Sequence, residues 1–139
     1  MPVLHRSVAA LRVSGDELDP EEITRALGCM PTASQRKGEV RIGKYTQASV
    51  IARIGQWRLD ATPTEPADLT AQVGELVGKL TSDLTVWKTI SAKYRIDLYC
   101  GWFMKGGNEG VKMPPETIKS LSSRFIALDV DIYGPDGDA

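Results

Sequence analysis

Asp129 and Asp131 stand two residues apart in the segment Leu128-Asp-Val-Asp-Ile132. On an extended strand that spacing points both carboxylates the same way. Paired carboxylates bind divalent cations or share a proton. Two acids alone are a poor cation site, because such ions take about six or more ligands. Cys100 has the chemistry of a nucleophile, but it alternates with Ile96, Leu98 and Trp102 and so falls on an apolar face. A thiol buried there is a small hydrophobe with a raised pKa. The one imidazole, His5, is far from it in sequence. No triad, Cys–His or metal-ligand spacing is present. The sequence therefore predicts no catalytic residue, no metal and no cofactor, and it leans away from an enzyme.

A wider set shares one property with the two acids. Arg12, Arg58, Asp97, Tyr99, Asp129, Asp131 and Tyr133 all fall on the polar side of alternating segments. Gathered on one open sheet face, they form a surface for a polar ligand or a partner protein. The plain alternative is a solvated face of cross-strand ion pairs, each contributing roughly 0.2–1 kcal/mol. A second set, Arg36, Lys37, Arg41 and Lys44 against Glu39, makes 36–44 the most basic stretch. Such a loop can meet phosphate or an acidic partner. Its Gly38 and Gly43 lack the spacing of a phosphate cradle, and it has no interleaved aromatics for nucleic acid. Charge clusters of this kind are usually solvated surface.

The elements that must hold these residues are legible from pattern and punctuation. Residues 5–14 read as a first strand. Asp19, Pro20 and Glu22 open a helix as N-cap, first residue and capping-box acid, and Gly28 stops it. A short strand is expected within 39–45. A longer strand over 49–60 should turn Ile51, Gly55, Trp57 and Leu59 to one side. Thr62-Pro-Thr-Glu-Pro66 is a turn. Asp68 caps a long helix with Leu69, Val73, Leu76, Val77, Leu80, Leu84 and Trp87 at helical spacing, and Thr81-Ser-Asp83 can divide it. Residues 94–103 are a strand, and Lys105–Gly110 is a flexible loop. Pro114-Pro115-Glu116 starts another helix, with Ile118 and Leu121 inward. Residues 125–133 form the last strand, with Ile126, Leu128, Val130 and Ile132 toward the core. Residues 1–4 and 134–139 are expected to fray.

This order predicts an α+β fold with a mainly antiparallel sheet and its helices on one face. A ferredoxin-like α/β sandwich is the first expectation, with two βαβ-like halves suggested by Pro20-Glu21-x-Ile23 and Pro115-Glu116-x-Ile118. A doubly wound sheet is disfavoured, since Asp97, Asp129 and Asp131 interrupt strands that would have to be continuously apolar.

Length and charge bound the rest. The chain has 139 residues, 42% of them hydrophobic, and reads as one domain over 1–139. A net charge of −1 gives no basic footprint for nucleic acid. No apolar run is long enough for a signal sequence or a membrane span. Two cysteines, widely separated, suit free thiols in the cytoplasm. A protein partner or a small ligand is expected, and a homodimer is compatible with the sequence.

The ordered motifs resemble a known family. They run from Leu11-Arg-Val-Ser-Gly15-Asp16-x-Leu18-Asp19-Pro20-Glu21-x-Ile23 through Leu27-Gly28-x-x-Pro31-Thr32 to Arg36-Lys37-Gly38. Trp57 before the acid-capped helix, Asp97-Leu98-x-Cys100-Gly101 and Leu128-Asp129-x-Asp131-Ile132-Tyr133 complete the set. Together they are similar to the bacterial family known as domain of unknown function 4279. The resemblance implies a bacterial cytosolic protein and carries no catalytic residue with it. The leading expectation is a non-catalytic interaction or regulatory module using the polar sheet face, with a small-ligand sensor as the alternative.

Overall fold

A computed structural model describes residues 2–43 and 48–135. Alternation along β1 (Arg6–Gly15) buries Ala9, Leu11 and Val13 on one side, leaving Arg12 on the other. The same alternation recurs in β5 (Gly55–Asp60), which buries Gly55, Trp57 and Leu59. In β6 (Arg95–Phe103), Ile96, Leu98 and Cys100 face the core. With β2 (Ala33–Gln35) and β7 (Ala127–Tyr133) these strands form one five-stranded sheet, ordered β2-β5-β1-β6-β7. All its neighbours are antiparallel except β6 and β7. A separate two-stranded ladder joins β3 (Val40–Ile42) to β4 (Ser49–Ile51).

The helices lie on one side of the sheet, as expected for this α+β class. α1 (Pro20–Leu27) starts where Asp19 accepts the Glu21 N–H at 3.1 Å. It ends at Gly28, whose φ of 79° only glycine adopts without strain. Its Ile23 and Leu27 are fully buried. The long helix is two helices. α2 (Leu69–Lys79) is capped by Asp68, and α3 (Leu84–Lys93) by Asp83, so the Thr81-Ser82-Asp83 break is used. Buried Gln72 ties α2 to β1: it accepts from the Ser7 hydroxyl and donates to the Ser7 carbonyl, both at 2.9 Å. α4 (Pro115–Ser122) links β6 to the parallel β7, a true βαβ unit. The first expected half is not one, because β1 and β5 are antiparallel.

Several expected positions are corrected. Residues 49–60 are broken in two, and Ile51 is exposed on β4, since the ladder of β3 and β4 leaves the main sheet. The expected strand within 39–45 is β3, with residues 44 and 45 outside the described residues; β2 was not anticipated. In α4 Thr117 and Leu121 face inward, and Ile118 is exposed. Leu128 and Ile132 share a face with Leu98 and Trp102, yet both are exposed, on a strand that stands at the edge of the sheet. Residues 2–4 are pinned rather than frayed. Leu4 is buried and its N–H donates to the Gly110 carbonyl at 2.9 Å. The Lys105–Gly110 loop is tied by Glu109, whose carboxylate accepts the N–H groups of His5, Lys105 and Gly106. Gly134 and Pro135 of the expected tail are exposed, and residues 136–139 lie outside the described residues.

Candidate functional site

The helix-free face of the sheet gathers all seven residues expected there. Strand register sets them in rungs. Arg58, Arg12 and Asp97 lie side by side across β5, β1 and β6. The next rung is Asp60, Ala10, Tyr99 and Asp129. Val8, Gly101 and Asp131 follow, and then Arg6, Phe103 and Tyr133.

Two arginines placed directly opposite repel. The face resolves this by turning them apart. Arg58 leans along its own strand to Asp60 at 2.9 Å. Arg12 grips Asp97 with two parallel bonds, Nε to Oδ1 and Nη2 to Oδ2, both 2.8 Å. The same Nη2 reaches Asp129 at 3.2 Å. Hydrogen bonding to Asp97 raises the Arg12 guanidinium still further above its ordinary value. Its plane also lies 4.9 Å from the Tyr99 ring centroid, a cation–π arrangement.

Tyr99 continues the array. Its hydroxyl donates to Asp131 at 3.0 Å. Hydrogen bonding to Tyr133, burial and Asp131 together hold that phenol well above its ordinary pKa, so it stays a donor. Phe103 and Tyr133 stack with centroids 4.8 Å apart and planes 9° from parallel. Arg6 lies 5.2 Å over Phe103. Gly101 leaves the space between them open: a Cβ there would come within 2.8 Å of Val8.

Where the side chains part, around Ala10, a depression of about 470 Å³ opens. Val8 and Ala10 are its floor, and Arg12, Gln56, Arg58 and Tyr99 stand at its walls. Asp129 and Asp131 face the same way but do not act as a pair, since one binds Arg12 and the other Tyr99. Among the described residues no three His, Cys, Asp or Glu are grouped to hold a metal ion.

The basic loop is placed differently. Arg36 pairs with Asp19 at 2.7 Å and Lys37 with Asp16 at 3.3 Å. Arg41 bonds Glu39 and the Ser34 carbonyl. Lys44 lies outside the described residues. Each described cation thus already has an acid beside it. Cys100 is fully buried, and burial pushes its thiol up to about 12, partly countered by the Trp102 indole. His5 pairs with Glu65 at 3.4 Å.

Sequence reasoning missed Arg6 and Phe103. Both have the parity of Arg12 and Tyr99 on their own strands, so alternation alone signals them. It also missed Asp60, whose role depends on Arg58 turning toward it.

The family model described as Domain of unknown function (DUF4279) matches residues 5–135. The chain belongs to that family. No curated protein and no solved structure matches it. Among the described residues no helix is long and apolar enough to cross a membrane.

Proposed function

We propose that this member of the DUF4279 family is a non-catalytic interaction module that binds another protein through the helix-free face of its sheet. The observation that carries the reading is the stacked array on that face: Arg12 on Tyr99, and Arg6 on Phe103 on Tyr133. Arginine and tyrosine dominate the energetics of protein interfaces, because they offer large planar surfaces together with hydrogen bonds. Here those planes are already fixed by their neighbours, so little rotamer entropy remains to be lost on binding. Asp60, Asp97, Asp129 and Asp131 against Arg6, Arg12 and Arg58 give the face both signs of charge, a pattern that selects a complementary partner. The depression at Ala10 takes an anchoring side chain from that partner. A bacterial cytosolic setting belongs to this reading, and the two free thiols suit it.

A small polar ligand in the same depression is the second reading. Its support is the volume, about 470 Å³, which lies within the range of small-molecule pockets.

Affinity capture from the native host's lysate tests the first reading. Wild type, an Arg12→Ala/Tyr99→Ala variant and a Lys88→Ala control on α3 are compared by mass spectrometry. One protein retained by wild type and control but lost by the double variant supports it. Equal capture by all three counts against it. Capture of nothing, with a metabolite that raises the Tm of wild type but not of the double variant, moves the assignment to the ligand.

A further inference from the structure

Two aliphatic patches lie uncovered at opposite edges of the sheet. One is the β3–β4 hairpin. Its register sets Val40 beside Ile51, with Ile42 on the same side, and these three are 61%, 62% and 71% exposed respectively. The other follows β7, where Leu128 and Ile132 stand exposed on one side of the strand. Among the described strands β7 pairs with β6 alone, which makes its outer edge a place where another strand can add.

We propose that the hairpin of one molecule docks on the β7 edge of a second copy of this chain. An isolated two-stranded ladder is marginal in water and gains from a surface to pack on. The two patches cannot meet within one molecule. Arg41 ties the hairpin to β2, and β5, β1 and β6 stand between β2 and β7. At ordinary strand spacing that separation is about 19 Å.

Charge decides which patch meets which. Residues 36–53 of the hairpin region contain Arg36, Lys37, Arg41 and Arg53 among their described cations; Asp19, Asp16 and Glu39 stand beside the first three, and exposed Arg53 adds a further positive charge. β7 contains Asp129 and Asp131 and no cation. Two hairpins brought together set cation on cation. Two β7 strands paired antiparallel about their centres set Asp129 and Asp131 opposite each other. Hairpin on β7 is the attractive combination.

The side-chain pattern agrees. Val40-Arg41-Ile42 is aliphatic, basic, aliphatic, and Leu128-Asp-Val-Asp-Ile132 is aliphatic with alternating acids. Laid beside β7, β3 extends its aliphatic side with Val40 and Ile42 and sets Arg41 against the acids. Exchanged reciprocally, the contact closes a two-fold dimer; unreciprocated, it continues into a chain. This goes beyond the open-face reading and does not depend on it.

Sedimentation velocity on the purified full chain, over a concentration series, tests the proposal without any other partner present. Wild type is expected to associate, and to dissociate as salt is raised. An Arg41→Glu/Arg53→Glu variant and an Asp129→Lys/Asp131→Lys variant should each weaken association about tenfold or more. Their equimolar mixture should associate again, because each reversed patch then meets its complement. Ile132→Ser, at an exposed position, should weaken association without changing charge. Circular dichroism checks that each variant is folded. A wild type that stays monomeric throughout overturns the proposal. So does a folded charge variant that associates like wild type, or a mixture that remains monomeric.

Discussion

Arg12 and Asp97 are opposite one another on β1 and β6, and the guanidinium meets the carboxylate through two parallel hydrogen bonds of 2.8 Å. The pair stands at the centre of the helix-free face. Asp97 is nearly buried, with a side chain 12% exposed, while that of Arg12 is 27% exposed.

Removing Arg12 leaves Asp97 charged and poorly solvated, and removing Asp97 leaves Arg12 with the longer bond to Asp129. Asp97→Ala is expected to cost about 1–3 kcal/mol, between the values for exposed and fully buried pairs. Arg12→Met/Asp97→Leu should cost less than the sum of its two single changes. Urea denaturation of the four proteins in the cycle measures this. Additive losses would show that the two side chains are not coupled.

α4 ends in an unusual way. The Ile126 N–H donates to the Leu121 carbonyl at 3.0 Å and the Phe125 N–H to that of Ser122 at 3.1 Å. These are the two bonds of a Schellman motif, and Leu121 and Ile126 supply its buried apolar contact. Its left-handed position, normally glycine, is Phe125 at φ 60°. The ring is half exposed and gains little from burial. Phe125→Gly should therefore stabilise the protein by about 1 kcal/mol. A Tm that falls instead would mean that the ring contributes more packing than its exposure suggests.

Cys100 connects burial to pH. Its thiol is pushed up to about 12 in the folded chain, against about 8.5 for a free cysteine. The folded state holds this proton more tightly than the unfolded state does. The resulting stability is complete below about pH 8.5 and is lost as pH rises through that interval. Tyr99, also raised, acts in the same direction in more alkaline solution. Cys100→Ala should flatten the alkaline loss of stability. A thiol reagent should modify half-buried Cys29 in the native protein and Cys100 only on unfolding. Equal native reactivity of both thiols would contradict this assignment.

The polar face was legible because strand alternation is local. Asp97 and Tyr99 declare their side by alternating with Ile96, Leu98 and Cys100, and registry then brings their strands together. Four things were not local. The exposure of Leu128 and Ile132 follows from β7 being an edge, which depends on strand order. The exposure of Ile51 follows from the hairpin leaving the sheet. In α4, Ile118 and Thr117 are adjacent, and only the docking angle of the helix decides which is buried. The stacking of Arg6 and Tyr133 about Phe103 depends on three strands at once.

The most direct test of docking on the helix-free face is photo-crosslinking in the native host. A benzophenone side chain replaces Gln56 at the rim of the depression in one protein and Lys88 on α3 in another. The face reading predicts one discrete crosslinked protein from position 56, absent from position 88, and lost when Arg12→Ala/Tyr99→Ala is added. The same crosslinked species from both positions, or a position-56 species that survives the double change, would contradict it.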